Sequence, residues 1–158
     1  MTLPLDSAPI HVNDFPKFDY TMTTLERGVY VERPAAWVNQ KLSVLRPMRI
    51  YLCDSKYHIP TMDYFLGFIH ANMVNERGYV AEWWDCDKYA RHIFSIAPEE
   101  WDINSIGLVI DWSSGHAYNS VIFPEGNVML LEPQTDSLIF VTKRNKKLYG
   151  LRSGFILV

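Results

Sequence analysis

A chain of 158 residues with a formal net charge of −3, 48% hydrophobic and 21% charged residues has room for one domain with a real core. Its mild acidity, with basic residues gathered only at Lys143-Arg144-Asn145-Lys146-Lys147, argues against nucleic acid as a partner. No stretch approaches the roughly 18 uncharged apolar residues of a membrane span, and Met1-Thr2-Leu3-Pro4-Leu5-Asp6 lacks the basic start and apolar core of a secretory signal. A soluble, cytoplasmic protein with reduced thiols at Cys53 and Cys86 is the expectation.

In chain order, residues 1–45 read as an arm with a small hairpin and helix, packed on a body formed by residues 46–158. Pro4, Pro9 and Pro16 mark the extended arm. Residues 20–24 and 29–31 are strand-like and spaced for a small hairpin, and residues 35–45 follow as a short helix. Residues 48–53 alternate as a strand. Met62, Phe65, Leu66, Ile69 and Met73 recur with helical spacing behind Thr61 as N-cap, with Gly78 as the stop. Cys86, Ala90, Ile93 and Ala97 form the stripe of a second helix that starts after Asp85 and is closed by Pro98. Period-two strands then occupy residues 106–112, 117–123, 128–131, 138–142 and 148–157. Their short connections imply antiparallel neighbours. The expected class is α+β: helices first, one of them carrying the cysteine, packed on an antiparallel sheet.

Cys86 in a first helical turn faces the positive end of the helix dipole, which favours its thiolate. Asp85 and Asp87 flank it and oppose that ionisation. His116 opens a strand after Ser113-Ser114-Gly115, and Glu132 ends the next one. With residues 124–127 as the turn, the two fall at the same end of one antiparallel ladder, within reach of a side-chain hydrogen bond. Thiol, imidazole and carboxylate together make a nucleophile, base and orienter. His70 reads as a structural or exposed histidine.

The blocks Trp84-Asp85-Cys86-Asp87-Lys88-Tyr89-Ala90, Gly115-His116-Ala117-Tyr118-Asn119 and Glu132-Pro133-Gln134 resemble those of papain-like domains related to the C-terminal protease domain of a fungal ricin-type agglutinin. The resemblance covers roughly residues 48–142. It implies a papain-like fold and a Cys86–His116–Glu132 triad that hydrolyses a peptide or amide bond in a peptide or protein substrate. It also implies calcium dependence, with Asp87 as the position to carry a ligand, since hard oxygen donors suit calcium better than zinc. The glutamine that papain-type enzymes place before the cysteine is missing, which leaves Gln134, with Trp84, as the residues for oxyanion or substrate contact. Three readings follow: a cysteine protease, a transglutaminase-like or amidase enzyme on the same fold, and a protein-binding or inhibitory scaffold with a vestigial triad.

Overall fold

The computed structural model describes Ile10–His11 and residues 29–158. Among them the chain is mixed α+β, with three α-helices and two sheets. Strands β1 (Ile10–His11), β3 (Arg49–Tyr51), β5 (Gly107–Asp111), β6 (His116–Ile122), β7 (Val128–Glu132), β8 (Ser137–Phe140) and β9 (Gly154–Leu157) form a seven-stranded sheet in the order β1-β8-β7-β6-β5-β9-β3. Strands β2 (Tyr30–Pro34) and β4 (Lys56–Pro60) pair separately and antiparallel. The helices are α1 (Ala35–Leu42), α2 (Met62–Asn72) and α3 (Cys86–Trp101).

Both faces of the large sheet are covered, and side-chain alternation decides which residue meets which cover. On one face, α2 and α3 pack on Val121, Phe123, Met129, Leu131 and Leu138, and α3 also packs on Leu108 and Ala117. On the other, α1 and the β2–β4 pair cover Val109, Tyr118, Ile122, Leu130 and Ile156. Covered on both sides, the central strands are buried at nearly every position.

The expected meander is present as β5–β6–β7–β8, each pair antiparallel. The rest departs from it. Residues 148–157 yield only the four-residue β9, which joins the far side of β5, and β3 runs parallel to β9. The basic segment therefore does not join two antiparallel neighbours. It belongs to a crossing from β8 to β9 past three intervening strands. Such a crossing needs a long connection, and residues 141–153 supply it.

The predicted hairpin also changes partner. Its first limb, residues 20–24, lies outside the described residues, and the second belongs to β2, which pairs with β4. The arm reaches the body where Ile10 and His11 pair with Leu138 and Ser137 on the β8 edge.

Helix α2 is capped as expected, Thr61 Oγ1 accepting from the Tyr64 amide at 3.3 Å, but it stops at Met73 in the left-handed region rather than at Gly78. Helix α3 continues through Pro98 to Trp101 and ends on Asp102, whose N–H donates to the Ala97 carbonyl. A proline removes one amide and does not by itself end a helix whose last turn is buried, here by Ala97 and Trp101.

Candidate functional site

One end of the large sheet gathers most of the polar buried groups. There β5 and β6 are joined by residues 112–115, with Asp111 set against His116. Asp111 is 1% exposed and anchors the turn. Its carboxylate accepts from the Ser113 amide at 3.0 Å, the Ser113 hydroxyl, the Leu151 amide at 2.8 Å and the Tyr118 hydroxyl at 3.4 Å. Burial works to raise its pKa, but these donors, led by Ser113, hold the carboxyl below the usual carboxylate range.

Beside it, His116 Nε2 lies 2.6 Å from Glu132 Oε2. A carboxylate can only accept, so the imidazole donates. The same oxygen accepts from the Tyr149 hydroxyl at 3.0 Å, and the Gln134 amide points to Glu132 Oε1 at 3.4 Å. Burial and the negative charge of Glu132 push the Tyr149 phenol well above its ordinary value, so it stays protonated as a donor. The ladder pairs Asn119 with Leu131, which sets Glu132 against Tyr118 and reaches His116 diagonally. The rings of His116, Tyr118 and Tyr149 lie 5.1 to 5.7 Å apart between centroids and close this cluster.

Cys86 begins α3, as the helical stripe requires. It packs with Ala90, Ala117, Leu108 and Ile110 on the α3 face of the sheet. Asn119 confirms which side this is, its Nδ2 donating to the Ala90 carbonyl at 2.9 Å. Ala117 and Asn119 thus turn toward α3, while His116 and Tyr118 turn to the opposite face. Among the described residues no hydrogen bond joins the Cys86 thiol to the His116 imidazole. Burial pushes the thiol pKa up, and the charges of Asp85 and Asp87 add to that rise against the lowering effect of the Ala117 and Asp87 amides. Asp85 holds the N-cap backbone position but makes no side-chain cap bond. Its carboxylate is hydrogen-bonded instead to Asp87, which lowers the pKa of Asp85 and raises that of Asp87.

Asp87 Oδ2 also lies 2.6 Å from Arg91. Among the described residues no three His, Cys, Asp or Glu side chains gather as a metal site. A calcium ion takes six or more oxygens, so this donor set does not fit one. Trp84 is half-buried against α3, edge-on to Tyr89 and His92, with the Arg77 guanidinium 4.5 Å from its ring centroid. Gln134 contributes its backbone amide to Glu132.

The same end of the sheet carries a surface that sequence reasoning missed. Beyond α3, on the same face, Tyr51 and Trp112 both lie edge-on to Phe155, each with its ring centroid 5.7 Å away. Tyr51 is 49% and Trp112 60% exposed, large values for aromatic rings that could have been buried. Arg49 stands on this face two residues before Tyr51, paired in register with Phe155. Gly154 brings the strands together here. Its φ of +153° and its approach to the Ile110 carbonyl leave no room for a Cβ. The three aromatics lie far apart in sequence, on a strand, a turn and the last strand, so no local pattern announces them.

No protein-family model and no curated protein matches the chain. Solved structures do. One, described as the PSL1a-E64 complex, is 23% identical with a TM-score of 0.61, covering 84% of this chain and 52% of that one. Another is Polyporus squamosus lectin bound to the human-type influenza-binding epitope Neu5Aca2-6Galb1-4GlcNAc. It is 23% identical with a TM-score of 0.62, covering 84% of this chain and 50% of that one. The chain spans about half the length of these structures, and at this identity the likeness is one of fold. The second is described as a lectin. A lectin among the neighbours contradicts the expected papain-like cysteine protease, the hydrolase activity and the assignment as an enzyme. The protein-binding or inhibitory scaffold finds no support in these neighbours either. No helix among the described residues is long and apolar enough to cross a membrane.

Proposed function

We propose that the chain binds carbohydrate on the open aromatic face made by Tyr51, Phe155 and Trp112. The observation that carries this reading is that trio itself: three rings in edge contact on a sheet margin, with Tyr51 49% and Trp112 60% exposed. An aromatic ring offers a flat apolar surface with a partly negative face, which suits the polarised C–H face of a pyranose while the sugar hydroxyls stay in water. The glycan in the second neighbour supports the choice of ligand class.

In this reading His116, Glu132 and Tyr149 hold the end of the sheet, and Asp111 holds the turn that presents Trp112. Cys86 and Trp84 belong to the start of α3 and Gln134 to the turn between β7 and β8. None of them does chemistry on the ligand.

The test is a titration of the chain against a panel of immobilised glycans, with Trp112→Ala alongside. Binding by the wild type that weakens about tenfold or more in Trp112→Ala, as removal of an anchoring tryptophan does, is the expected result. An unchanged panel in the variant overturns the location, and no binding by the wild type overturns the function.

A further inference from the structure

The aromatic face has a charged neighbour that makes no ion pair among the described residues. Arg49 is exposed on β3, and alternation puts it on the same face as Tyr51. Arg152 is exposed beside the Trp112 turn, its backbone amide donating to the Ser113 hydroxyl at 3.0 Å. Among the described residues the ion pairs are Lys56–Glu32, Arg91–Asp87 and His116–Glu132, so neither arginine is in one. In a chain of net charge −3, the Arg49 guanidinium, outside these ion pairs and on the face of Tyr51, is a local reversal of sign.

A guanidinium presents its donors as a planar fork that matches a carboxylate in two parallel hydrogen bonds. Aromatic rings select for a sugar ring and the fork selects for an acid on it. We propose that the ligand of this face is an acidic glycan whose carboxylate is held by Arg49 while a sugar ring stacks on Tyr51 or Trp112. This deepens the carbohydrate reading and rests on it.

The experiment is calorimetric titration of the full chain with the trisaccharide Neu5Aca2-6Galb1-4GlcNAc, its carboxyl methyl ester and the neutral disaccharide Galb1-4GlcNAc. Wild type, Arg49→Gln and Arg49→Lys are compared. The acid is expected to bind at least about tenfold tighter than the ester or the disaccharide, the increment of one charge-assisted hydrogen bond or more. Arg49→Gln should erase that preference and Arg49→Lys retain part of it, since a lysine keeps the charge but not the fork. Because Arg49 is exposed, both variants should fold, which circular dichroism checks. Equal affinity for acid, ester and disaccharide overturns the acidic-glycan inference and leaves the carbohydrate reading standing. A preference that survives in Arg49→Gln overturns the assignment to Arg49. Absence of binding to all three overturns both.

Discussion

Replacing Asp111 by alanine should unfold the chain much more readily than its position at a strand end suggests. The carboxylate is 1% exposed and is the acceptor for the Leu151 amide and the Tyr118 hydroxyl, in residues that are themselves 1% and 0% exposed. Without it, two buried donors lose their partner and water cannot replace it. Each orphaned donor costs about 1–3 kcal/mol, so the pair costs about 4 kcal/mol. The Ser113 donors are nearer the surface and add little.

For a chain of this length the unfolding entropy, about 2.1 cal/mol/K per residue, converts 1 kcal/mol into roughly 3 °C, so Tm should fall by about 12 °C. Asp111→Asn retains one acceptor oxygen and should cost about half as much. The pH dependence has a definite sign. Because the folded state holds this carboxyl below its usual value, its stabilisation is present above an unfolded pKa of about 4 and lost as pH falls below that. The acid limb of stability should therefore be shallower in Asp111→Ala than in the wild type. Urea denaturation at pH 7 and at pH 3 measures both effects. A loss under about 1 kcal/mol at pH 7 would refute the claim that Asp111 organises this end of the sheet.

Asp136 should behave in the opposite way. It is buried, with Oδ1 unbonded, and burial together with Glu76 raises its pKa to about 7. The folded state thus holds a proton that the unfolded state releases, so wild-type stability should fall between about pH 4 and pH 7. Asp136→Asn should flatten that limb in denaturant titrations and be the more stable protein at pH 8; an unchanged slope would contradict it. Iodoacetamide should label exposed Cys53 before Cys86, whose thiol is kept protonated by burial and by Asp85 and Asp87. Faster labelling of Cys86 that disappears in His116→Ala would restore a paired nucleophile and contradict the arrangement described above. Trp112→Ala, at an exposed position, should change Tm by little while weakening glycan binding.

Much of this architecture was legible in the chain. The four-residue turn at 124–127 fixes how β6 meets β7, and that register alone brings His116 to Glu132. Helical spacing located α2 and α3 and put Cys86 in a first turn. What the pattern could not supply was the face. Along β6, Ala117 and Val121 are as buried as Tyr118 and Ile122. A strand buried on both sides carries no polar alternation to say which set meets α3. Cys86 packs against Ala117, the neighbour in sequence of the histidine it was matched with.

The β4 segment Lys-Tyr-His-Ile-Pro escaped notice because its proline and charged start weaken the strand signal, although edge pairing with β2 tolerates both. The passage from β8 to β9 was read as a short antiparallel connection because the strand pattern was taken to begin at residue 148, whereas β9 begins at Gly154. Asp111 fell inside the expected strand 106–112, and only the Leu151 and Tyr118 donors, 40 residues later and on the next strand, make it a hub.

Saturation-transfer NMR on the sialylated trisaccharide bound to the chain addresses the ligand surface itself. The account predicts that the ring C–H protons of one pyranose receive the strongest transfer and that Tyr51→Ala/Trp112→Ala abolishes it in a folded protein. Transfer that persists in the double variant, or none in the wild type, would contradict it.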